Sequence, residues 1–199
     1  MTATRMDTLP LTGERTVPHL AAENYWFRRH EVAYLWARHF AHGAVVLDSG
    51  CGEGYGARLL STVASRVVAL DYLPDVCAHV HRAYPEVEVA RADLQRLPVA
   101  DGALDVVTSL QVIEHLHDQH GYLHECARVL APAGTLVVTT PNRLTFSPHD
   151  AAPLNPFHTR ELTAAELVDA VSAAGFVVTR LMGVAHGSRL RRWERRHGS

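Results

Sequence analysis

Residues 45–56 read VVLDSGCGEGYG, an apolar strand pattern that runs directly into a glycine-rich turn. Glycine tolerates positive φ and lets the backbone approach a ligand closely. A GxGxxA pattern spans residues 52–57, where a helix is predicted to begin, as in folds that bind a dinucleotide at the first strand–helix turn. A single pattern of this kind is also typical of a tight turn that needs glycine for geometry alone. The surrounding segments therefore decide between the two interpretations.

Strand and helix patterns alternate on both sides of this turn. Apolar runs predict six strands, at residues 44–48, 66–71, 87–91, 104–110, 135–140 and 176–182. Helical patterns predict five helices, at residues 23–40, 54–64, 74–83, 118–130 and 163–174. Pro74 and Thr163 stand at helix starts, and Gly175 follows the last helix. This alternation predicts an α/β, Rossmann-like fold, in which a mostly parallel sheet is covered by helices on both faces.

Polar residues follow the predicted strands at the edge where open α/β sheets bind ligands. Asp71 ends the second strand, 17 residues after Gly54, and its carboxylate can accept both hydroxyls of a ribose. Asp93 and Leu94 follow the third strand, where the acid suits an adenine amino group and the leucine suits the ring face. Residues 111–116, QVIEHL, follow the fourth strand.

These four motifs, in this order, resemble those of class I S-adenosylmethionine-dependent methyltransferases over residues 44–182. A hydride-transfer enzyme would share the first two motifs alone. The resemblance implies that the glycine loop and Asp48 face the methionine part of the cofactor, that Asp71 holds the ribose, and that Gln111 lies near the methyl sulfonium. From the loop and the strand ends, it implies a cofactor-binding set of Asp48, Gly50, Cys51, Gly52, Gly54, Asp71, Tyr72, Asp93, Leu94 and Gln111.

The resemblance also implies a helical N-terminal cap over the cofactor, at residues 1–43. In this interpretation Tyr25 and Trp26 lie near the methionine end, with Arg28 or Arg29 near its carboxylate. The aromatic residues 25–27 are equally typical of a helix side packed on the sheet. The expected division is a cap at 1–43, a Rossmann-like domain at 44–188 and a basic tail at 189–199.

A narrower resemblance concerns the substrate. Residues 12–18, 23–30 and 155–162 are similar to segments of small mycobacterial sugar O-methyltransferases linked to polymethylated polysaccharides. This implies methylation of a sugar hydroxyl, with a partly methylated mannose oligosaccharide favoured as acceptor. The alternatives are 6-O-methylation of a glucose lipopolysaccharide, methylation of a small redox metabolite such as a quinol, and a non-catalytic protein that binds S-adenosylmethionine.

Transfer of a methyl group to a sugar hydroxyl needs a group that takes the hydroxyl proton. Histidine is the obvious source, because its pKa lies near the working pH and the chain has 14 of them. His115 is the first candidate because it follows the fourth strand beside Glu114, and His158 is the second because a proline-rich segment precedes it. Each is also typical of a loop histidine whose hydrogen bonds are made with the backbone.

Residues 114–118, EHLHD, are dense in metal-ligand types, but contiguous side chains do not all converge on one ion, and no HExxH spacing occurs. Mg²⁺ bound through Glu114 or Asp118 remains an option, since such dependence occurs among sugar methyltransferases.

Composition narrows the partners. A net charge of -2 gives no general attraction to nucleic acid or membranes, and no apolar window is long enough to span a bilayer. Five arginines in residues 189–196 fit a solvated helix. Three cysteines without CxxC spacing favour a reducing cytoplasm. Every basic residue except histidine is arginine, which excludes lysine catalysis. Composition therefore favours neither nucleic acid nor a membrane as a partner, and the resemblance to sugar O-methyltransferases implies a small oligosaccharide.

The C-terminal end departs from the class I pattern. That fold normally closes with a seventh, antiparallel strand beside the sixth, and no such pattern follows residues 176–182. The seventh strand is therefore predicted to be missing, whether the chain is short by nature or truncated. An uncovered sheet edge would result, and a homodimer contact is expected there.

Overall fold

A computed structural model describes residues 9, 15–18, 20–21, 23–148, 152–188, 191–192 and 196. The strands are β1 Val45–Ser49, β2 Arg66–Asp71, β3 Glu88–Arg91, β4 Leu104–Leu110 and β5 Leu130–Thr139. The helices are α1 Asn24–Ala37, α2 Tyr55–Ser61, α3 Pro74–Ala83, α4 Gln119–Val129, α5 Arg143–Phe146 and α6 Ala164–Ala173. A 3₁₀ turn at Ile113–His115 follows β4.

The five strands form one parallel sheet in the order β3-β2-β1-β4-β5. Its centre is β1, where Val46 lies opposite Val67 of β2 and Val106 of β4. Branched apolar residues at these positions suit a parallel strand that is buried on both faces. The predicted α/β, Rossmann-like class is confirmed.

Successive residues of each strand face opposite sides of the sheet, and the core divides accordingly. Val46 belongs to a buried cluster that includes Leu60 of α2 and Val80 of α3. Leu47 belongs to a second cluster that includes Tyr122 of α4 and Val171 of α6. Helices α1 to α3 therefore cover one face, while α4 and α6 cover the other.

The predicted sixth strand is wrong in the described structure. Residues 176–186 adopt no regular secondary structure, although Phe176 packs against the core. Val177 is 86% exposed. Within the described ranges β5 pairs with β4 alone, so residues 176–186 form no ladder with the free edge of β5, and their backbone groups gain no strand partner. In the described residues no strand covers the outer edge of β5, and the homodimer contact expected at the uncovered edge stays a prediction.

Other differences are local. β5 begins at Leu130, five residues before the predicted start, because its register with β4 shifts between Leu104 and Val106. The short helix α5 was not predicted, and its start is capped by Asn142, whose side chain accepts a hydrogen bond from the Leu144 amide.

Both chain ends are described in part. Much of residues 1–22 lies outside the described residues, including residues 12–14 of the sugar-methyltransferase resemblance. In the tail, Arg191, Arg192 and Arg196 are exposed and helical, while Arg189 and Arg195 lie outside the described residues. The division into cap, domain and tail stays a prediction. No helix in the described ranges has the length and apolar character needed to cross a membrane.

The packing of α1 on α2 depends on Gly56, because a Cβ there would overlap the ring of Tyr34. We expect Gly56→Ala to lower the free energy of unfolding by about 1–3 kcal/mol, the usual cost of overpacking a filled core. Urea denaturation measures it. Gly183→Ala is the control, since a Cβ at Gly183 meets nothing within 4 Å. Equal stability of the two variants would contradict this packing role.

Candidate active site

A cleft of about 300 Å³ opens at the carboxyl ends of the strands. It is lined by the turn after β1, the ends of β2 and β4, the segment after β3, and residues at and before α1. Of the predicted site residues, the cleft brings together Gly50, Cys51, Gly52, Asp71, Tyr72, Asp93, Leu94, Gln111 and His115.

The glycine-rich turn is held against the end of β2. The amides of Gly50 and Cys51 both donate to the Leu70 carbonyl, at 2.8 and 3.0 Å. Gly50 has φ 78, and a Cβ there would overlap the side chain of Val112. A Cβ at Gly52 would meet only the Cβ of Arg15, at 3.9 Å. The turn therefore presents bare backbone to the cleft, as close approach of a ligand requires.

Asp71 connects this turn to the next helix. One carboxylate oxygen accepts a hydrogen bond from the Gly52 amide at 3.1 Å, and the other accepts one from the Leu73 amide at 3.0 Å. Tyr72 beside it is exposed, and the guanidinium of Arg91 lies 5.3 Å from the centre of its ring. The predicted ribose acceptor thus lies on the cleft wall with its carboxylate fixed by two amides.

Asp48 lies beneath the cleft rather than on its wall. It is fully buried, and it accepts hydrogen bonds from the Tyr34 hydroxyl at 3.1 and 3.2 Å and from the Thr108 hydroxyl at 2.8 Å. Burial raises the pKa of Asp48 to about 6, against the opposing effect of these hydrogen bonds. Gly54 is also buried, against Val80, and both residues therefore support the turn from behind.

Tyr25, Trp26 and Arg29 do not line the cleft, so their cofactor contacts stay a prediction. The guanidinium of Arg29 lies 5.7 Å from the centre of the Tyr25 ring, and the Trp26 ring lies 6.0 Å from that of Phe146. The periodicity of α1 explains this, since His30, one turn later, is the helix residue that faces the sheet edge together with Tyr34.

Sequence reasoning missed six polar residues of the cleft, which are Arg15, Thr16, His30, Tyr34, Glu53 and Tyr55. The Thr16 hydroxyl lies 3.3 Å from His30 Nδ1 and 3.1 Å from the Tyr55 hydroxyl. Burial, with a smaller effect of Arg29, lowers the pKa of His30 to about 4. The spacing of His30 and Tyr34 by four residues was the available signal in the sequence.

Glu53 and Arg15 bring opposite charges to one end of the cleft. The Glu53 carboxylate lies 3.5 Å from Arg15 Nε and 3.3 Å from His79 Nε2. Burial raises the pKa of Glu53, while the charges of His79 and Arg15 oppose that rise. This end of the cleft therefore contains one positively charged group, the Arg15 guanidinium, and one negatively charged group, the Glu53 carboxylate.

Gln111 takes a strained conformation where β4 enters the cleft. Its backbone φ is 61°, in the left-handed region that residues other than glycine seldom adopt. The Gln111 amide donates to the Thr139 carbonyl and its Nε2 donates to the Thr139 hydroxyl, both at 2.9 Å. Such strain persists where the surroundings hold it, and it is concentrated at functional sites.

A second group of side chains adjoins the cleft at His115. One ligand-type atom from each of Glu114, His115 and His158 lies within 4.8 Å of the others. The rings of His115 and His158 meet edge to face, with centres 5.0 Å apart. We call these three residues the EHH cluster. The structure therefore brings all three sequence candidates for catalysis together, although Glu114 and His158 are 44 residues apart in the chain.

Hydrogen bonds fix each member of the EHH cluster. The Thr140 hydroxyl donates to the buried Glu114 carboxylate at 2.9 Å. Nδ1 of His115 lies 3.0 Å from the Phe157 carbonyl, and Nδ1 of His158 lies 2.7 Å from the Glu161 carboxylate. Burial raises the pKa of Glu114 to about 8.

The cluster forms because residues 157–161 dock on the 3₁₀ turn. The Thr159 amide and hydroxyl donate to the Glu114 carbonyl, at 2.7 and 3.0 Å. Nε2 of the buried Gln119 donates to the carbonyls of Ile113 and Arg160, both at 2.9 Å. These main-chain contacts set the positions of the side chains.

Asp118, the other option for Mg²⁺, is not part of the cluster. Its carboxylate accepts a hydrogen bond from the Gly121 amide at 2.8 Å and so caps α4. This role is typical of aspartate at a helix start and holds the side chain at the helix terminus. Of these two alternatives for Mg²⁺, Glu114 lies beside two histidines, whereas Asp118 caps a helix.

An open parallel sheet, a bare glycine turn at its carboxyl edge and an adjoining acid–base cluster define a nucleotide-binding α/β enzyme. A family profile described as a methyltransferase domain matches residues 47–138. A probable S-adenosylmethionine-dependent methyltransferase of Mycolicibacterium smegmatis is 55% identical over 190 residues, which cover 96% of this chain and 74% of that protein. A protein of the same description from Mycobacterium tuberculosis is 54% identical over 190 residues, which cover 96% and 69%.

Among solved structures, an S-adenosylmethionine-dependent methyltransferase from Mesorhizobium loti has a TM-score of 0.69 at 19% identity, over 82% of this chain and 90% of that one. This likeness shows a shared fold. The chain belongs to the family of S-adenosylmethionine-dependent methyltransferases, and its cofactor is S-adenosylmethionine.

The raised pKa of Asp48 makes a prediction about stability. Between the ordinary pKa of 3.8 and the folded value of about 6, the folded state binds more protons than the unfolded one. Stability should therefore fall as the pH rises through this window. Relative to Asp48→Asn, the wild type should lose about 2 kcal/mol of unfolding free energy between pH 4 and 7.

Urea denaturation of both proteins at these two pH values measures the difference. Any constant cost of the amide cancels, because only the change with pH is compared. Parallel pH profiles for the two proteins would show that burial does not perturb this carboxylate.

Proposed function

We propose that this methyltransferase transfers the methyl group to a sugar hydroxyl, with a partly methylated mannose oligosaccharide as the acceptor. The main support for O-methylation is the EHH cluster, which adjoins the cofactor cleft. Its imidazole and carboxyl groups can take the proton of a weakly acidic hydroxyl. The choice of a sugar as the methyl acceptor is based on the resemblance of residues 23–30 and 155–162 to sugar O-methyltransferases. The mycobacterial source of the two similar relatives supports that resemblance.

The lining of the cleft supports one orientation of the cofactor. Arg15 and Glu53 suit the carboxylate and ammonium of the methionine part, because that group carries both charges. Asp71 suits the ribose hydroxyls, and Asp93 with Leu94 suits the adenine. A cofactor held in this way would supply its methyl group within the cleft that Gln111 and His115 line. S-Adenosylmethionine supplies the methyl group and departs as S-adenosylhomocysteine.

His115 is the member of the EHH cluster that lines the cleft, so we assign the activation of the hydroxyl to it. The Phe157 carbonyl beside Nδ1 only accepts hydrogen bonds, so Nδ1 carries the ring hydrogen and donates it. In the metal-free protein, Nε2 then takes the proton of the hydroxyl as its oxygen attacks the methyl carbon. The His158 ring packs edge to face against the His115 ring, and the Glu114 carboxyl group lies beside both.

This assignment predicts that His115→Ala lowers kcat for methyl transfer by about 10²–10⁴-fold, the usual contribution of a proton acceptor. S-Adenosylhomocysteine release is measured with short mannosides and glucosides, free and partly methylated, and with a quinol. Mass spectrometry identifies the acceptor that gains one methylene. His117→Ala, a change of an exposed histidine two residues away, is the control and should retain full activity.

Product from a mannoside is the expected result. Product from a glucoside alone would replace mannose by glucose as the acceptor sugar. Product from the quinol alone would place the acceptor among redox metabolites. Tight cofactor binding without product from any acceptor would favour the non-catalytic alternative.

Asp71 tests the cofactor orientation separately. We expect Asp71→Ala to weaken S-adenosylhomocysteine binding by about 10–100-fold, since hydrogen bonds to a charged acceptor contribute about 1.5–3 kcal/mol. Isothermal titration calorimetry measures the affinity. Asp75→Ala, on an exposed position in the first turn of α3, is the matched control. Similar affinities for the two variants would exclude Asp71 from the ribose site.

A further inference from the structure

We propose that Glu114, His115 and His158 form a binding site for one divalent transition-metal ion, with Zn²⁺ as the leading occupant. Their ligand-type atoms already lie within 4.8 Å of one another. Ligands bound at about 2.0–2.1 Å around a tetrahedral Zn²⁺ lie about 3.4 Å apart. The side chains therefore close in by little more than 1 Å when an ion binds.

The hydrogen bonds of both imidazoles have the pattern of metal-binding histidines. Such rings donate one N–H to a carboxylate or a backbone carbonyl and bind the ion through the other nitrogen. His115 has the Phe157 carbonyl at Nδ1, and His158 has the Glu161 carboxylate at Nδ1. Both rings are thereby oriented, and Nε2 is the nitrogen through which each would bind the ion.

Burial and charge favour a cation at this place. The side chains of His158 and Glu161 are 5% and 1% exposed, and Glu114 is 1% exposed. Oε2 of Glu161 is buried and has no hydrogen-bond partner. Among the described residues, no arginine forms an ion pair with either glutamate. Buried carboxylates are costly without a compensating positive charge, which a bound ion supplies.

The donor types select the ion. Two imidazole nitrogens and one carboxylate oxygen suit Zn²⁺ and related transition metals, whereas Mg²⁺ prefers oxygen ligands and keeps several waters. Three protein ligands also leave at least one coordination position open, as in catalytic rather than structural zinc sites. A transition metal therefore fits these residues better than Mg²⁺, which the sequence left as one option.

The consequence for the reaction rests on the proposed function. In the metal-loaded protein, the acceptor hydroxyl occupies the open position, where the ion lowers its pKa. The O–H bond breaks and the proton leaves to solvent water, while the oxygen forms its bond to the methyl carbon. The bond between that carbon and sulfur breaks, and its electron pair stays on sulfur. His115 then holds the ion and does not take the proton.

Metal binding is tested directly and without turnover. The full chain is stripped with EDTA, the chelator is removed, and Zn²⁺ is titrated against a chromophoric competitor. One ion per chain is expected. His158→Ala and Glu114→Gln should each weaken binding by at least about 10-fold, and so should Glu161→Gln, because partners of ligating histidines contribute about 10–100-fold. Co²⁺ should give visible absorption bands that His158→Ala abolishes.

The control is the double variant His120→Ala with His124→Ala. These exposed histidines lie four residues apart on α4, a spacing that can bind surface Zn²⁺, and their removal should leave the tight site intact. Circular dichroism verifies that each variant folds. If a variant of one of the three metal ligands unfolds, Glu161→Gln still tests the site, because Glu161 contacts His158 without being a proposed ligand.

The outcomes separate the two proposals. Stoichiometric Zn²⁺ binding that depends on His158 supports the site even when no sugar is methylated, a result that would overturn the sugar acceptor alone. Sugar methylation at full rate in stripped protein, together with equal Zn²⁺ affinity in His158→Ala, would overturn the metal site and leave His115 as the proton acceptor.

Discussion

The carboxylate of Asp48 is fully buried at the end of β1, where it accepts hydrogen bonds from Tyr34 of α1 and Thr108 of β4. Three segments distant in sequence therefore meet at one charged group beneath the glycine turn. Burial of a carboxylate is costly unless its hydrogen bonds are made, so the arrangement is stable only when all three segments are in place. The same Tyr34 ring packs on Gly56, which fixes the start of α2 and with it the floor of the cleft.

The cleft and the EHH cluster lie at the same edge of the sheet, but they are built largely by different segments of the chain. The cleft is built by segments that follow β1 to β4 and by residues at and before α1, whereas the cluster combines the 3₁₀ turn after β4 with residues 157–161. His115 belongs to both, because it lines the cleft and contacts His158. A cofactor held at the strand ends thus meets groups held by a loop that returns from beyond β5.

The far edge of the sheet shows how strand formation depends on neighbours. Residues 176–182 have the composition of a strand, yet they adopt no regular structure in the described part of the chain. The sequence pattern indicates which residues favour a β-strand. A strand also needs a neighbouring strand with which its backbone N–H and C=O groups form hydrogen bonds. Phe176 still packs on the core, so hydrophobic burial is retained where strand pairing is not.

The sequence by itself determined the alternation of strands and helices, the glycine turn and the acidic residues at the strand ends. These features are local: apolar periodicity, glycine conformational freedom and strand-end position all act within a few residues. It also singled out Glu114, His115 and His158 as candidates.

Only the tertiary structure decided how these residues are used. Asp48 was expected in the cleft and lies beneath it, while Tyr25, Trp26 and Arg29 lie away from it and His30 faces it. The face that a helix presents to the sheet is fixed by packing against other elements, and so is the meeting of His158 with Glu114 across 44 residues of chain. Sequence spacing alone does not encode such distances, because they depend on how several buried surfaces fit together at once.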